Sequence, residues 1–150
     1  MENKPIQTGA NRGTVKEMKA RAQAAKDAEI KQKCEAIAIE RLGSLDALVK
    51  LSNQHKGLWF LPIVTEDGEI EKLALMRPID RTILSYASTK LGDDGGLYDF
   101  LEAGMRECII TDDNKLISDM EIIEEDDYFI PAANSFNKIL EGKKASLLKR

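Results

Sequence analysis

The fold of this chain is decided by residues 58–76, which read LWFLPIVTEDGEIEKLALM. Two runs rich in apolar and β-branched residues, 58–65 and 70–76, flank the acidic turn 66–69. An Asp-Gly pair between two such runs is the strongest short-range signal for a β-hairpin. Proline cannot donate a hydrogen bond to a sheet, so Pro62 predicts that the first strand lies at an edge or is bent there.

The residues after this hairpin predict a series of helices. Arg77-Pro78 ends the second strand, and Asp80 is placed to cap a helix whose apolar residues recur at helical spacing. Residues 92–96 form a loop, and a further helix starts near Leu97. A last helix begins near 124–127 and ends where Gly142 interrupts it. Its predicted inner face consists of Phe129, Ile130, Ala133, Phe136, Ile139 and Leu140.

Upstream of the hairpin, the chain from Thr14 to Gly43 contains no other glycine and no proline, and it predicts one long helix. Its second half has a strong apolar stripe, whereas its first half offers only Val15, Met18, Ala22 and Ala25. We expect the first half to project from the domain or to need a partner. Ser44 predicts the cap of a short second helix with an apolar face of Leu45, Leu48, Val49 and Leu51.

These elements predict a single α+β domain, mostly helical, with a two-stranded hairpin and a long N-terminal helix. A chain of 150 residues is the size of one ordinary domain. The predicted organisation is a flexible arm (1–13), a basic helix (14–43), a compact α+β domain (44–142) and a basic tail (143–150).

Charge is distributed in three blocks. Residues 1–56 carry a net charge of +4, residues 57–142 carry −12, and residues 143–150 carry +4. Such asymmetry is informative about partners and about association, but not about the fold. It favours a protein that binds other macromolecules.

The apolar segments and the cysteines indicate the compartment. The longest apolar run, residues 58–64, is far shorter than the roughly 20 residues that span a bilayer, and no signal-peptide pattern opens the sequence. We therefore expect no membrane association and no secretion. Cys34 and Cys108 stand outside any CxxC motif, which favours small buried residues in a reducing compartment, with a disulfide as the alternative.

The residue types needed for catalysis or metal binding do not occur in a recognisable pattern. His55 is the only histidine, so a His-based triad or zinc site is not expected. Calcium-loop spacing fails from Asp93 and from Asp112, because Tyr98 and Leu116 fall on required positions. The glycine-rich loop 92–96 lacks the GKS or GKT ending of a P-loop. We therefore predict a non-enzyme with no cofactor and assign no catalytic, cofactor-binding or metal residue.

The N-terminal helix provides the first candidate binding residues. Lys16, Lys19 and Lys26 are spread along it and could follow a nucleic-acid backbone. Acidic residues are interleaved with these lysines, and no aromatic residue is present to stack on bases. A helix that faces solvent or a protein partner is therefore the favoured interpretation.

A second set of candidates lies at the junction Leu73-Ala-Leu-Met-Arg77-Pro78-Ile-Asp80-Arg81. This junction is followed by Cys108-Ile-Ile110 and by Phe129-Ile-Pro-Ala-Ala133. That order of features resembles small tail-assembly-chaperone-like proteins of tailed bacteriophages, over residues 58–148. In that group a strand ending in a basic-proline-x-x-Arg signature leads into a helical domain. The basic extension 1–56 departs from the pattern and suits a virion or assembly component with an added attachment helix.

The resemblance implies a non-enzymatic phage assembly or structural protein that binds other virion proteins, most of all tail proteins. It would work in the host cytoplasm and either leave or stay in the particle, and a homo-oligomer is compatible with it. Arg77 and Arg81, with the three lysines of the N-terminal helix, are the predicted partner-binding residues. The alternative is a small regulatory or nucleic-acid-associated protein that uses its basic ends.

Overall fold

The structure is a computed structural model that describes the backbone of residues 8–92 and 95–148 and the side chains of residues 14–92 and 95–142. It is a single α+β domain, mostly helical, with a two-stranded antiparallel sheet. Its elements follow in the order α1 (Thr8–Leu42), α2 (Leu45–Gln54), β1 (Trp59–Val64), β2 (Ile70–Met76), α3 (Arg81–Ser88), α4 (Leu97–Cys108), α5 (Glu121–Glu124) and α6 (Asp126–Leu148).

Strands β1 and β2 form the predicted hairpin. Their antiparallel register runs from Trp59 opposite Met76 to Val64 opposite Ile70, with an irregularity between Ile63 and Val64. Gly68 adopts a φ of +83° in the turn, a backbone conformation that favours glycine. The Asp-Gly prediction is thus confirmed, and its physical reason is the left-handed residue that the turn needs.

The outer side of β2 is covered by an irregular run, residues 109–119, which we call the covering segment. The backbone N–H of Ile110 donates to the carbonyl of Leu75 (2.8 Å), and that of Asp119 donates to the carbonyl of Leu73 (2.8 Å). The Ser118 hydroxyl oxygen accepts from the N–H of Leu75 (2.9 Å). The covering segment therefore satisfies one edge of β2, and β1 becomes the edge strand, as Pro62 predicted.

The hairpin separates two apolar clusters. Leu61, Ala74 and Met76 face the helices α3 to α6, and Leu73 and Leu75 face α1 and α2. Because side chains alternate across a strand, a two-stranded sheet can contribute to both layers only when both of its faces are covered. The larger cluster includes Ile79, Leu101, Met105, Ile122, Ala132, Ala133 and Phe136.

Helices α4 and α6 approach each other closely within the larger cluster. A Cβ atom on Gly104 would lie 3.1 Å from the ring of Phe136. Phe136 is 1% exposed and Phe129 is 8% exposed, so both predicted core positions are confirmed. The prediction for Ile130 is wrong, since it is 48% exposed; one residue beyond Phe129, its side chain is turned about 100° around α6.

Helix boundaries agree with several sequence signals and differ from others. The Ser44 side chain accepts from the N–H of Ala47, and Asp80 accepts from the N–H of Ile83, which confirms both predicted caps.

Helix α1 begins at Thr8, six residues before the predicted start, while residues 1–7 of the predicted arm lie outside the described residues. Helix α6 continues through Gly142 to Leu148, so the predicted interruption is wrong; a single glycine weakens a helix without ending it. The side chains of the basic tail lie outside the described residues.

The apolar face predicted for α2 is only partly buried. Leu48 packs in the smaller cluster, whereas Leu45 and Val49 are 56% and 48% exposed. Leu51 is half-buried and packs against the same cluster. The smaller cluster therefore covers one side of α2 and leaves the other in solvent.

Candidate interaction surface

Helix α1 is fixed to the domain by a shielded ion pair near its C-terminus. Arg41 Nη2 donates to Asp119 Oδ2 at 2.8 Å, and Arg41 Nη1 donates to the carbonyls of Leu73 and Ile117 at 3.2 and 3.1 Å. The same Asp119 oxygen accepts from the N–H of Leu73 at 2.9 Å. Three parts of the chain, α1, β2 and the covering segment, therefore meet at one carboxylate.

Two further contacts anchor α1 in the middle of its length. Lys33 Nζ donates to the carbonyl of Gly68 at 2.8 Å and lies 3.3 Å from Glu69 Oε1, both in the hairpin turn. Cys34 is 1% exposed, and burial, assisted by the charge of Glu35, raises the pKa of its thiol to about 11. Both cysteines are buried as thiols, as the sequence predicted. Cys34 is therefore a packing residue and a poor nucleophile at neutral pH.

Every residue from Thr14 to Glu29 is exposed. We call these sixteen residues the α1 extension; at about 1.5 Å per residue it projects roughly 24 Å. Val15 and Met18 are 51% and 58% exposed, which are high values for apolar side chains. The prediction that the first half of this helix projects from the domain is confirmed.

The three lysines predicted as binding residues all lie on the α1 extension. Lys19 and Lys26 are seven residues apart, and Lys16 precedes Lys19 by three, so the three share one face of the helix. That face borders the stripe of Val15, Met18, Ala22 and Ala25. The extension therefore offers apolar surface with positive charge along one side.

An apolar groove of about 360 Å³ lies where the extension leaves the domain. We call it the edge groove. It is lined on one side by α1, on the other by Ile139 of α6, and along its floor by the edge strand β1 and Leu58. Its members are Asp27, Ile30, Lys31, Cys34, Leu58, Trp59, Phe60, Pro62 and Ile139. The groove and the extension form one continuous surface, because Asp27 belongs to both.

Arg77 and Arg81 lie in a different part of the molecule. Arg77 lines a polar cleft of about 380 Å³ together with His55, Glu107 and Asp112. Arg77 Nε donates to the carbonyl of Glu107 at 2.8 Å, and its Nη2 lies 3.9 Å from Glu107 Oε2, with 42% of the side chain exposed. Arg81 is exposed at the first turn of α3. The structure thus places Arg77 and Arg81 at the β2–α3 junction and the three lysines on α1.

In the polar cleft, the end of α4 holds Arg77 in place, because its Nε donates to the carbonyl of Glu107. Within residues 14–92 and 95–142, no group of three or more His, Cys, Asp or Glu side chains is arranged to hold a metal ion. In the same part of the chain, no helix has both the length and the apolar character to cross a membrane.

Sequence reasoning missed the anchor of α1. Asp119 and Ser118 are 6% and 4% exposed, yet they lie in a stretch that reads as an irregular acidic loop. The available signal that this stretch is buried was the apolar residues around them, of which Ile117, Ile122 and Ile123 are buried and Leu116 is exposed. Arg41 shows no distinguishing pattern in the sequence, because its partner lies 78 residues away.

No family model matches this chain, and the searches of curated proteins and of solved structures found no significant match.

Proposed function

We propose that this protein is a non-enzymatic bacteriophage assembly or structural protein that binds another virion protein, most of all a tail protein, through its α1 extension. The observation that carries the proposal is the contrast within one helix. Residues 30–42 are fixed to the sheet by Arg41, Lys33 and Cys34, whereas residues 14–29 are exposed at every position. A helix anchored so firmly at one end presents its other end in a defined direction.

Burial considerations favour a protein partner for this extension. An isolated helix of this length is marginal in water, and most helix stability in proteins comes from packing of an apolar face. Val15 and Met18 have no packing surface within the described domain that covers them, since each is more than half exposed. A groove or a second helix on the partner would bury them, in the manner of helix-in-groove recognition.

The charge of the extension also favours protein over nucleic acid. It carries four basic and three acidic residues, a net charge of +1, and Arg21 lies 3.4 Å from Glu17 in an ion pair. Neutralising several phosphates needs a larger excess of positive charge. A partner with an apolar stripe flanked by carboxylates on the side of Lys16, Lys19 and Lys26 is the better complement.

The phage assignment rests on the resemblance of residues 58–148 to tail-assembly-chaperone-like proteins. In such a role the compact domain is a platform, and the extension is the attachment device. Arg77 and Arg81 would then supply a second, weaker contact at the β2–α3 junction. The working place is the host cytoplasm, with the protein either released or retained in the particle.

A matched pair of charge-reversal variants tests the proposal. A phage tail-tube protein and a phage tape-measure protein would each be titrated against the full-length protein and against a K16E/K19E/K26E variant. The control is K50E/K90E/K138E, in which three exposed lysines outside α1 undergo the same change of charge. The proposal expects the first variant to bind at least roughly tenfold more weakly, and the control to bind like the wild type. Equal affinity of the wild type and both variants, or no binding of either tail protein to the wild type, would contradict the proposal.

A further inference from the structure

The outer edge of β1 has a hydrogen-bonding pattern that can be worked out from its neighbour. Along a strand, the N–H and C=O of one residue point to the same side, and successive residues alternate. Leu73 and Leu75 direct their backbone groups away from β1, because these groups bond to Asp119, Ser118 and Ile110 of the covering segment.

The register then assigns the direction of each β1 residue. Phe60 lies opposite Leu75 and Pro62 lies opposite Leu73. Since these are the pairs that do not exchange hydrogen bonds within the hairpin, Phe60 and Pro62 direct their backbone groups outward, toward the edge groove. The outer edge thus presents the N–H and C=O of Phe60 and the C=O of Pro62, which has no N–H to offer.

This pattern complements itself. In an antiparallel pair centred on Phe60, the two Phe60 residues exchange N–H to C=O bonds. Leu58 of each copy, extending the strand by one residue, faces Pro62 of the other, and its N–H meets the Pro62 carbonyl. The missing proline N–H leaves only the Leu58 carbonyl without a donor in the pair. A closed twofold dimer requires this kind of self-complementary patch.

The charges on the rim of the edge groove are self-complementary as well. Asp27 and Lys31 both line the groove, have opposite sign and lie one helical turn apart on α1. Asp27 also accepts a 2.9 Å hydrogen bond from Gln23 of its own helix, which leaves its charge available to a partner. About a twofold axis across the groove the two α1 helices would run antiparallel, so that Asp27 of each copy could pair with Lys31 of the other.

From the pattern of the strand edge and the charges on the groove rim we infer that the edge groove is the interface of a symmetric homodimer, in which β1 pairs with β1 of a second copy to form a continuous four-stranded sheet. The apolar groove residues, among them Ile30, Phe60 and Ile139, are covered by the second copy. Pro62 removes one hydrogen bond per copy, so the association is reversible rather than permanent. The dimer carries two α1 extensions, one from each copy, and its existence does not depend on which partner they bind.

Sedimentation equilibrium of the full chain over a range of concentrations tests the inference. Asp27→Lys and Lys31→Asp should each weaken the dimer on the order of tenfold by creating like-charge pairs, and the D27K/K31D double variant should restore it. Glu17→Lys and Lys19→Asp, made on the exposed α1 extension, are the controls with equal changes of charge and should leave the dimer constant unchanged.

Pro62→Val tests the strand register directly. It supplies an N–H for the Leu58 carbonyl of the other copy, twice per dimer, and should tighten the dimer by roughly 25-fold, since each added hydrogen bond contributes about a factor of five. Far-ultraviolet circular dichroism checks that each variant is folded. The charge swap decides the question if Pro62→Val disturbs the hairpin, because Asp27 and Lys31 are exposed. A wild-type chain that is monomeric at every concentration, or a double variant no better than the single ones, would overturn the inference, as would a folded Pro62→Val variant that does not tighten the dimer.

Discussion

Loss of the small Asp119 side chain should strongly lower the stability of this fold. Asp119→Ala removes the carboxylate oxygen that accepts from Arg41 Nη2 at 2.8 Å and from the N–H of Leu73 at 2.9 Å. It leaves a guanidinium that is 19% exposed and a backbone N–H on a fully buried strand residue. Breaking a buried ion pair from one side costs about 3–5 kcal/mol, and an orphaned buried donor costs about 1–3 kcal/mol.

These two costs overlap, and Arg41 keeps the carbonyls of Leu73 and Ile117 as acceptors. We therefore expect Asp119→Ala to lower the free energy of unfolding by about 3–5 kcal/mol, and Asp119→Asn by about 1–2 kcal/mol, because the amide oxygen still accepts from Leu73 but carries no charge. Asp113→Ala, at an exposed position of the same segment, is the control and should change stability by less than about 0.5 kcal/mol.

Urea unfolding followed by far-ultraviolet circular dichroism and by the fluorescence of Trp59 measures these differences. Amide hydrogen exchange at residue 119 shows where the structure opens, because the N–H of this residue donates to the carbonyl of Leu73 on β2. A loss below about 1 kcal/mol for Asp119→Ala, at an unchanged dependence on urea, would show that the ion pair does not anchor α1. The α1 extension would then have no fixed end to set its direction.

Three further predictions concern the core, a helix cap and a thiol. Phe136→Ala should lower the free energy of unfolding in urea by about 3–5 kcal/mol, because the ring is only 1% exposed and packs beside Gly104. Ile130→Ala, at a half-exposed site on the same helix, should lower it by less than about 1 kcal/mol. Equal urea midpoints for the two variants would place the core elsewhere. Asp80→Ala should lower the free energy of unfolding by about 0.5–2 kcal/mol, because it removes the 2.8 Å hydrogen bond from the N–H of Ile83, and Asp80→Asn should retain most of that stability. Thermal unfolding that finds neither variant different from the wild type would contradict the cap. Cys34 should stay unmodified by a thiol reagent at pH 7, since its pKa is raised to about 11 and its side chain is buried. It should react only when the pH rises toward that value or when the chain unfolds. Peptide mapping that finds rapid labelling of Cys34 in the folded chain at pH 7 would refute this prediction.

Local signals explain why much of the fold could be read from the sequence. The Asp-Gly turn, Pro62, the caps at Ser44 and Asp80 and the Phe129–Phe136 spacing each act over a few residues, so their consequences appear in short stretches of sequence. The weak apolar stripe of residues 14–29 likewise predicted the projecting helix, because an Ala-rich face offers little area to bury.

Features that depend on distant contacts could not be read in this way. The burial of Ser118 and Asp119 depends on β2 and on Arg41, which are remote in the chain, and the exposure of Leu45, Val49 and Ile130 depends on which side of each helix the two layers reach. The edge groove has no sequence motif, since its residues come from α1, β1 and α6. Of the predicted binding residues, the sequence grouped Lys16, Lys19 and Lys26 correctly on one helix but could not separate them in space from Arg77 and Arg81.

The most direct test of the proposed function is the affinity of a chain that begins at Asp27 for the tail protein that binds the full-length chain. Because the residues before Asp27 that the structure describes in full, 14–26, are all exposed, the shortened chain should keep its cooperative unfolding transition. Titration calorimetry should nevertheless show its binding weakened by at least roughly a hundredfold, since the apolar and basic faces of the extension are gone. A folded short chain that binds the tail protein as tightly as the full-length chain would contradict the claim that the α1 extension is the attachment device.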